Sequence, residues 1–166
     1  MPPARPRLLL GYDGSDVARA ALRRAAELFP GSPIVIVTVW EPGLGAVVAS
    51  SAGADAAGTL ALPPDPRLVE QVDRVEEDHA TAVAAEGARL ARSLGLDAEP
   101  HPVPDEAHVA DTIVGVAGEC DAAVVVVGSH GKSGLRARLL GSTSRDVLAR
   151  CPRPVLVVRT PAGSGD

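Results

Sequence analysis

The sequence predicts an α/β fold: a doubly wound, five-stranded parallel sheet with helices on both faces. Three observations lead there. Apolar residues make up 46% of the chain but aromatics only 2%, so the core is built from Val, Leu, Ile and Ala, which suits a parallel sheet wrapped by Ala-rich helices. Strand-like and helix-like segments alternate in the order β-α-β-α-β-α-β-α-β, and right-handed crossovers turn such an order into one doubly wound sheet. The length, 166 residues, suits one domain over residues 1–166.

Leu8–Tyr12 reads as a short buried strand that ends at Asp13-Gly14. Ser15 or Asp16 caps a helix running to about Leu28, with Pro30-Gly31 as its stop. Ile34–Trp40, β-branched and apolar on both faces, is a central second strand. Residues 43–64 are rich in Ala, Gly and Ser and predict a long flexible loop. Asp65-Pro66 starts the next helix, as an N-cap followed by proline. Leu68, Val72, Val75, Ala82, Leu90 and Leu94 recur along it at helical spacing until Gly95.

Ala98–Val103 carries Pro100 and Pro102, so this third strand belongs on an edge. Pro104-Asp105 begins a helix with Val109, Ile113, Val116 and Ala117 on its inner face. Ala122–Val127 is a fully apolar strand, followed by a glycine-containing loop, a helix from about Ser142 to Arg150, and a last strand, Val155–Val158.

The formal net charge is −5, and an acidic chain nearly without aromatics is a poor match for nucleic acid. No apolar run approaches the roughly 18 residues of a membrane span. Cys120 and Cys151 are too few for a disulfide framework and read as buried, inert side chains in a reducing compartment. Near the N-terminus, Asp13 interrupts any secretory core after Leu8–Leu10. The expectation is a cytoplasmic protein with no membrane and no nucleic-acid partner.

The stretch most informative about function runs from Val127-Gly128-Ser129-His130-Gly131-Lys132 to Gly141-Ser142-Thr143. A buried strand enters this loop and a helix leaves it. Glycines at 128, 131 and 141 allow sharp turns and close approach to a ligand. Ser142, Thr143 and the free amides of the helix's first turn gather donors at the positive end of the dipole, where phosphate is the natural occupant. Gly131-Lys132-Ser133 is not the end of a P-loop, because Val126 stands where that pattern needs glycine. Nor does the first turn, Gly11 to Ser15, have the G-x-G-x-x-G spacing. The loop either holds phosphate or merely turns the chain.

Gly128-x2-Gly131-x9-Gly141-Ser142 resembles the nucleotide-binding signature of the universal stress protein family. So do the segments Leu8–Ser15 (LLLGYDGS) and Cys151–Val158 (CPRPVLVV), and the similarity spans about residues 6–159. The resemblance implies a flavodoxin-like sheet of the adenine-nucleotide α-hydrolase type, strand order 3-2-1-4-5, usually a homodimer, with ATP bound by the branch that keeps the glycine loop. By match, Asp13 resembles the acidic residue near the nucleotide, touching adenosine or, through water, a companion Mg²⁺. Gly11 and Tyr12 precede it in the same contact set, Gly11 standing where some members carry a larger residue. Val39 resembles the position whose backbone reads the adenine edge, and Val127 and Gly128 the floor beside the ribose. Gly131, Gly141, Ser142 and Thr143 resemble the phosphate cradle, with Lys132 beside it.

Several of these residues have a plainer reading. Asp13 also suits an Asp-Gly turn. Lys132, Arg136 and Arg138 either clamp outer phosphates or are solvated charges. His130 lies beside the cradle without a catalytic role, and His79, His101 and His108 lack ligand spacing. No nucleophile, general base or carboxylate pair is evident. The expectation is therefore an ATP-binding regulatory module in stress response, not an enzyme, that pairs with a second copy through strand 155–158. The alternatives are a slow Mg²⁺-dependent ATPase or phosphotransferase, with Asp13 on the metal, and a structural dimer with a vestigial site.

Overall fold

The structure, a computed structural model, describes residues 5–43, 66–105, 107–130 and 140–160. Five strands, β1 (Leu8–Gly11), β2 (Pro33–Trp40), β3 (Asp97–Pro104), β4 (Val124–Gly128) and β5 (Val155–Val158), alternate with four helices. These are α1 (Asp16–Leu28), α2 (Pro66–Ser93), α3 (Val109–Glu119) and α4 (Ser142–Arg150). The strands form one sheet in the order β3-β2-β1-β4-β5, and every pairing is parallel. No helix among the described residues is long and apolar enough to cross a membrane.

The sheet separates two cores, and alternation along each strand decides which side chain joins which. Leu8, Leu10, Ile34, Ile36 and Val126 face α1 and α2, packing on Ala18, Leu22, Ala88 and Ala91. Leu9, Val35, Val37, Val125 and Val127 face α3 and α4, packing on Ile113, Val116 and Val147. The inner strands are apolar on both sides because both sides are covered.

Helix starts follow local chemistry. Ser15 caps α1, its side chain accepting from the Ala18 N–H at 3.1 Å. Helix α3 begins at Val109, not at Asp105. The Asp105 carboxylate instead accepts from the Ala107 N–H and the Thr112 hydroxyl, a turn that delays the helix.

Of the aliphatic stripe the spacing suggests on α2, Leu90 packs half-buried against the core, but the fully buried face is a different one. It consists of Ala80, Ala84, Gly87, Ala88 and Ala91, while Leu68, Val75 and Leu94 are exposed. Small residues are needed there: a Cβ at Gly87 would stand 2.8 Å from both Ile36 Cγ2 and Tyr12 Cδ1. The helix lies directly on these side chains. Cys120 and Cys151 are half-buried free thiols, not buried ones. They follow α3 and α4, at the margin of the core that those two helices cover.

Candidate functional site

Strands β1 and β4 are neighbours, yet the chain leaves β1 for one face of the sheet and β4 for the other. At such a reversal the connections diverge and leave a crevice beyond the carboxyl ends of the strands. A cleft of about 440 Å³ occupies this place, within the range of small-molecule sites.

Its walls come from six parts of the chain, with Ala18 of α1 and Val109 and Ile113 of α3 joining the four that follow. The end of β1 and the following turn contribute Gly11, Tyr12 and Asp13. Val37, Thr38 and Val39 of β2 line one side, and Val127 and Gly128 of β4 lie with His130 beyond them. The first turn of α4 supplies Ser142, Thr143 and Ser144 behind Gly141. The cleft thus brings together nine residues expected from the sequence: Gly11, Tyr12, Asp13, Val39, Val127, Gly128, Gly141, Ser142 and Thr143. Gly131 and Lys132, with Arg136, Arg138 and the 44–64 part of the long loop, lie outside the described residues.

The turn after β1 is fixed from several directions. Asp13 Oδ1 accepts from the Ser15 N–H at 3.0 Å, and Gly14 takes the positive φ, 76°, that this turn requires. Asp13 therefore closes a turn and lines the cleft at once. The Tyr12 N–H donates to the Val37 carbonyl at 2.8 Å, and the buried Thr38 hydroxyl donates to the Tyr12 carbonyl at 2.8 Å.

The side chain of Tyr12 points to the other face, where its hydroxyl donates to Glu86 Oε1 at 2.9 Å. Arg19 donates to the same oxygen from Nε at 3.2 Å and Nη2 at 3.0 Å. Burial, then the adjoining Glu86, push the Tyr12 phenol up to about 12. The Tyr12 hydrogen bond, ahead of Arg19, holds the Glu86 carboxyl below its ordinary pKa despite burial.

Gly128 and Gly141 serve close packing, not left-handed turns; neither has a positive φ. A Cβ on Gly128 would meet Val17 Cγ1 at 2.8 Å, and one on Gly141 would meet His130 Cα at 3.3 Å and Ser129 O at 3.4 Å. Ser129 ties the two segments together. Its carbonyl accepts from the Gly141 N–H at 2.7 Å and the Ser144 hydroxyl at 3.1 Å, and its hydroxyl lies 3.0 Å from His130 Nδ1.

The Gly141 amide is thus already used, so the cradle's donors are those of the helix proper. As the N-cap of α4, Gly141 makes no side-chain cap, and the first-turn amides that follow have no acceptor within the helix.

Sequence reasoning left out Val109 and Ile113 of α3, Thr38 and Ser144, all of which line the cleft. A Cβ on Gly11 would come within 3.3 Å of Ile113 Cδ1, so glycine there lets α3 approach. The signal available was the apolar inner face of that helix at its N-terminal end. Among the described residues no three His, Cys, Asp or Glu side chains are grouped to hold a metal ion.

Comparison with known proteins agrees with this architecture. The universal stress protein family model matches residues 5–159. A universal stress protein of Thermus aquaticus, encoded in the QAH/OAS sulfhydrylase 3′ region, is 30% identical over 154 residues, 92% of this chain and 97% of that protein. Universal stress protein YxiE of Bacillus subtilis is 28% identical over 153 residues, 92% and 98% of the two chains.

Among solved structures, hypothetical protein MJ0577 superposes with a TM-score of 0.74 at 18% identity, covering 96% of this chain and 99% of its own. A universal stress protein in complex with cAMP gives 0.59 at 26% identity, with 95% and 99% covered. The protein from Archaeoglobus fulgidus in complex with dAMP gives 0.60 at 22%, with 94% and 99% covered. With nearly its whole length matched by the family model, and with a sheet order and cleft to suit, this chain belongs to the universal stress protein family.

Proposed function

We propose that this protein binds an adenine nucleotide, ATP foremost, and acts as a nucleotide-dependent regulatory module in the stress response of the cytoplasm. The observation that carries this reading is the meeting of two features in one cleft. The first turn of α4, whose N-cap Gly141 has no side chain with which to cap it, opens where Asp13, Val39 and Gly128 converge. The helix terminus favours phosphate, and the apolar walls from β2, α3 and β4 suit a flat base. Relatives crystallised with cAMP and dAMP support an adenine nucleotide as the class of ligand.

Tyr12, Asp13 and His130 are the ionisable residues among the described residues lining the cleft, and the Tyr12 side chain points to the other face. The Tyr12 hydroxyl is committed to Glu86, which leaves little to activate water and favours holding over hydrolysis. Mg²⁺ would accompany the triphosphate, since this ion is commonly held by one or two carboxylates together with substrate phosphates; Asp13 is the carboxylate that fits. A second copy pairs through the outer edge of β5.

Calorimetric titration with adenosine, AMP and ATP tests the reading. ATP binds one per chain and more tightly than adenosine, and Gly141→Val, which would thrust a branched side chain toward the Ser129–His130 backbone, loses that phosphate-dependent gain while keeping its circular dichroism. Absence of ATP binding, or equal affinity for adenosine and ATP, refutes it.

A further inference from the structure

The two outer edges of the sheet, β3 and β5, differ in their backbone chemistry. Successive residues of a strand send their N–H and C=O groups to opposite sides, so the hydrogen bonds on one side identify the residues facing the other. In β3, Asp97 N–H donates to the Ser32 carbonyl and, just past the strand, Asp105 N–H donates to the Trp40 carbonyl. Odd-numbered residues therefore face β2, and residues 98, 100, 102 and 104 face outward. Three of these four are prolines, Pro100, Pro102 and Pro104. The fourth, Ala98, has its carbonyl covered by the Arg92 guanidinium, which donates from Nε at 3.1 Å and Nη2 at 2.7 Å.

On β5, Val125 N–H donates to the Pro154 carbonyl and Ser129 N–H to the Val158 carbonyl. Even-numbered residues thus face β4, and the outward ones are Val155 and Val157, each with a donor and an acceptor.

We propose that the outer edge of β3 is sealed against strand addition by Pro100, Pro102, Pro104 and Arg92, so that association of this chain by sheet extension takes place only along β5. An open edge offers a row of unpaired donors and acceptors to any other strand. With two open edges, copies would add without limit; with one, self-complementary pairing closes after two. Proline is tolerated in a sheet where its missing N–H faces away from the partner strand, as at all three positions here. The seal does not depend on nucleotide binding. It sets what this protein pairs with through its sheet: one further copy, in place of an open-ended stack.

The test restores the donors. Full-length wild type, Pro102→Thr, and the triple variant Pro100→Thr, Pro102→Thr and Pro104→Thr are compared by sedimentation velocity over a concentration series, with circular dichroism as the check on folding. The triple variant shows a weight-average mass at least twice that of wild type at the highest concentration, and the single variant falls between them. Adding Val157→Lys to the triple variant returns the assembly to no more than two copies. Folded variants that sediment as wild type overturn the proposal, and an unchanged mass for Pro102→Thr does so should the triple variant fail to fold. Growth that persists beyond two copies with Val157→Lys also overturns it, because association would then not run through the sheet edges.

Discussion

The hydroxyl of Tyr12 and the carboxylate of Glu86, 74 residues apart in sequence, are joined at 2.9 Å and tie the turn that carries Asp13 to the middle of α2. Arg19 of α1 shares the same carboxylate oxygen. Three elements on one face of the sheet therefore meet at a single atom behind the cleft.

Removing the phenol tests this tie. Tyr12→Phe costs about 1 kcal/mol, the ordinary net worth of a partly buried hydrogen bond. The pH dependence has a definite sign. The folded-state phenol is raised from 10.0 to about 12, so its contribution is complete below pH 10 and is lost as pH climbs toward 12. Wild type thus loses stability across that window and Tyr12→Phe does not. At the acid end, the depressed Glu86 contributes stability that disappears as pH falls through its folded pKa. The variant, lacking the foremost cause of that depression, loses its Glu86 contribution at higher pH. Urea midpoints measured from pH 3 to 12 read both limbs, and parallel curves for the two proteins refute the assignment.

Gly128 is a packing residue for α1. Alanine there places its Cβ 2.8 Å from Val17 Cγ1, and relief by movement of α1 costs about 1–3 kcal/mol. Adding Val17→Ala removes the colliding methyl groups, so the double variant recovers part of the loss. Thermal midpoints that show no such non-additivity would mean that the glycine serves another purpose.

Asp13 decides between holding and chemistry. Wild-type ATP turnover is expected far below about 1 per second, the lower end for kinases. Asp13→Asn weakens ATP binding by roughly tenfold, about 1.4 kcal/mol, in the range of one hydrogen bond to a charged group. Rapid wild-type hydrolysis that vanishes in Asp13→Asn, with affinity intact, would make the protein a phosphoryl-transfer enzyme.

The outer edge of β5 predicts a pair of chains. Sedimentation at micromolar concentration gives a dimer, and Val157→Lys, placing a charge in the middle of that strand, moves it toward monomer. A wild-type monomer under those conditions contradicts the pairing.

Most strands were legible because their composition is unambiguous: Ile34–Val37 and Val124–Val127 are unbroken β-branched runs. Asp13 and Gly128 were legible as cleft residues because they end the two strands that flank the reversal, and Gly141, Ser142 and Thr143 because a glycine turn there opens a helix. Gly11, Tyr12, Val39 and Val127 were reached only through the resemblance to universal stress proteins. The phase of α2 was not legible. Large side chains dominate a spacing analysis, whereas this helix packs through Ala and Gly because Tyr12 and Ile36 already fill the space beneath it. The Tyr12–Glu86–Arg19 junction was invisible because polar partners 74 and 67 residues apart leave no local pattern. Ile113 and Val109 were recognised as an inner helical face, but periodicity does not say what lies opposite.

Helix α2 runs for 28 residues, and none ahead of Ala80 is buried, so its two halves differ in what holds them. The later half is clamped on the sheet. The earlier half, about 20 Å of helix at 1.5 Å per residue, is too short to be more than marginal in isolation, and it leans on the clamped half and on tertiary contacts such as the Asp73 carboxylate, which accepts from the Gly43 N–H at 2.9 Å. Its amides should exchange with lower free energies of opening than those near Ala88, which exchange only when the whole molecule unfolds.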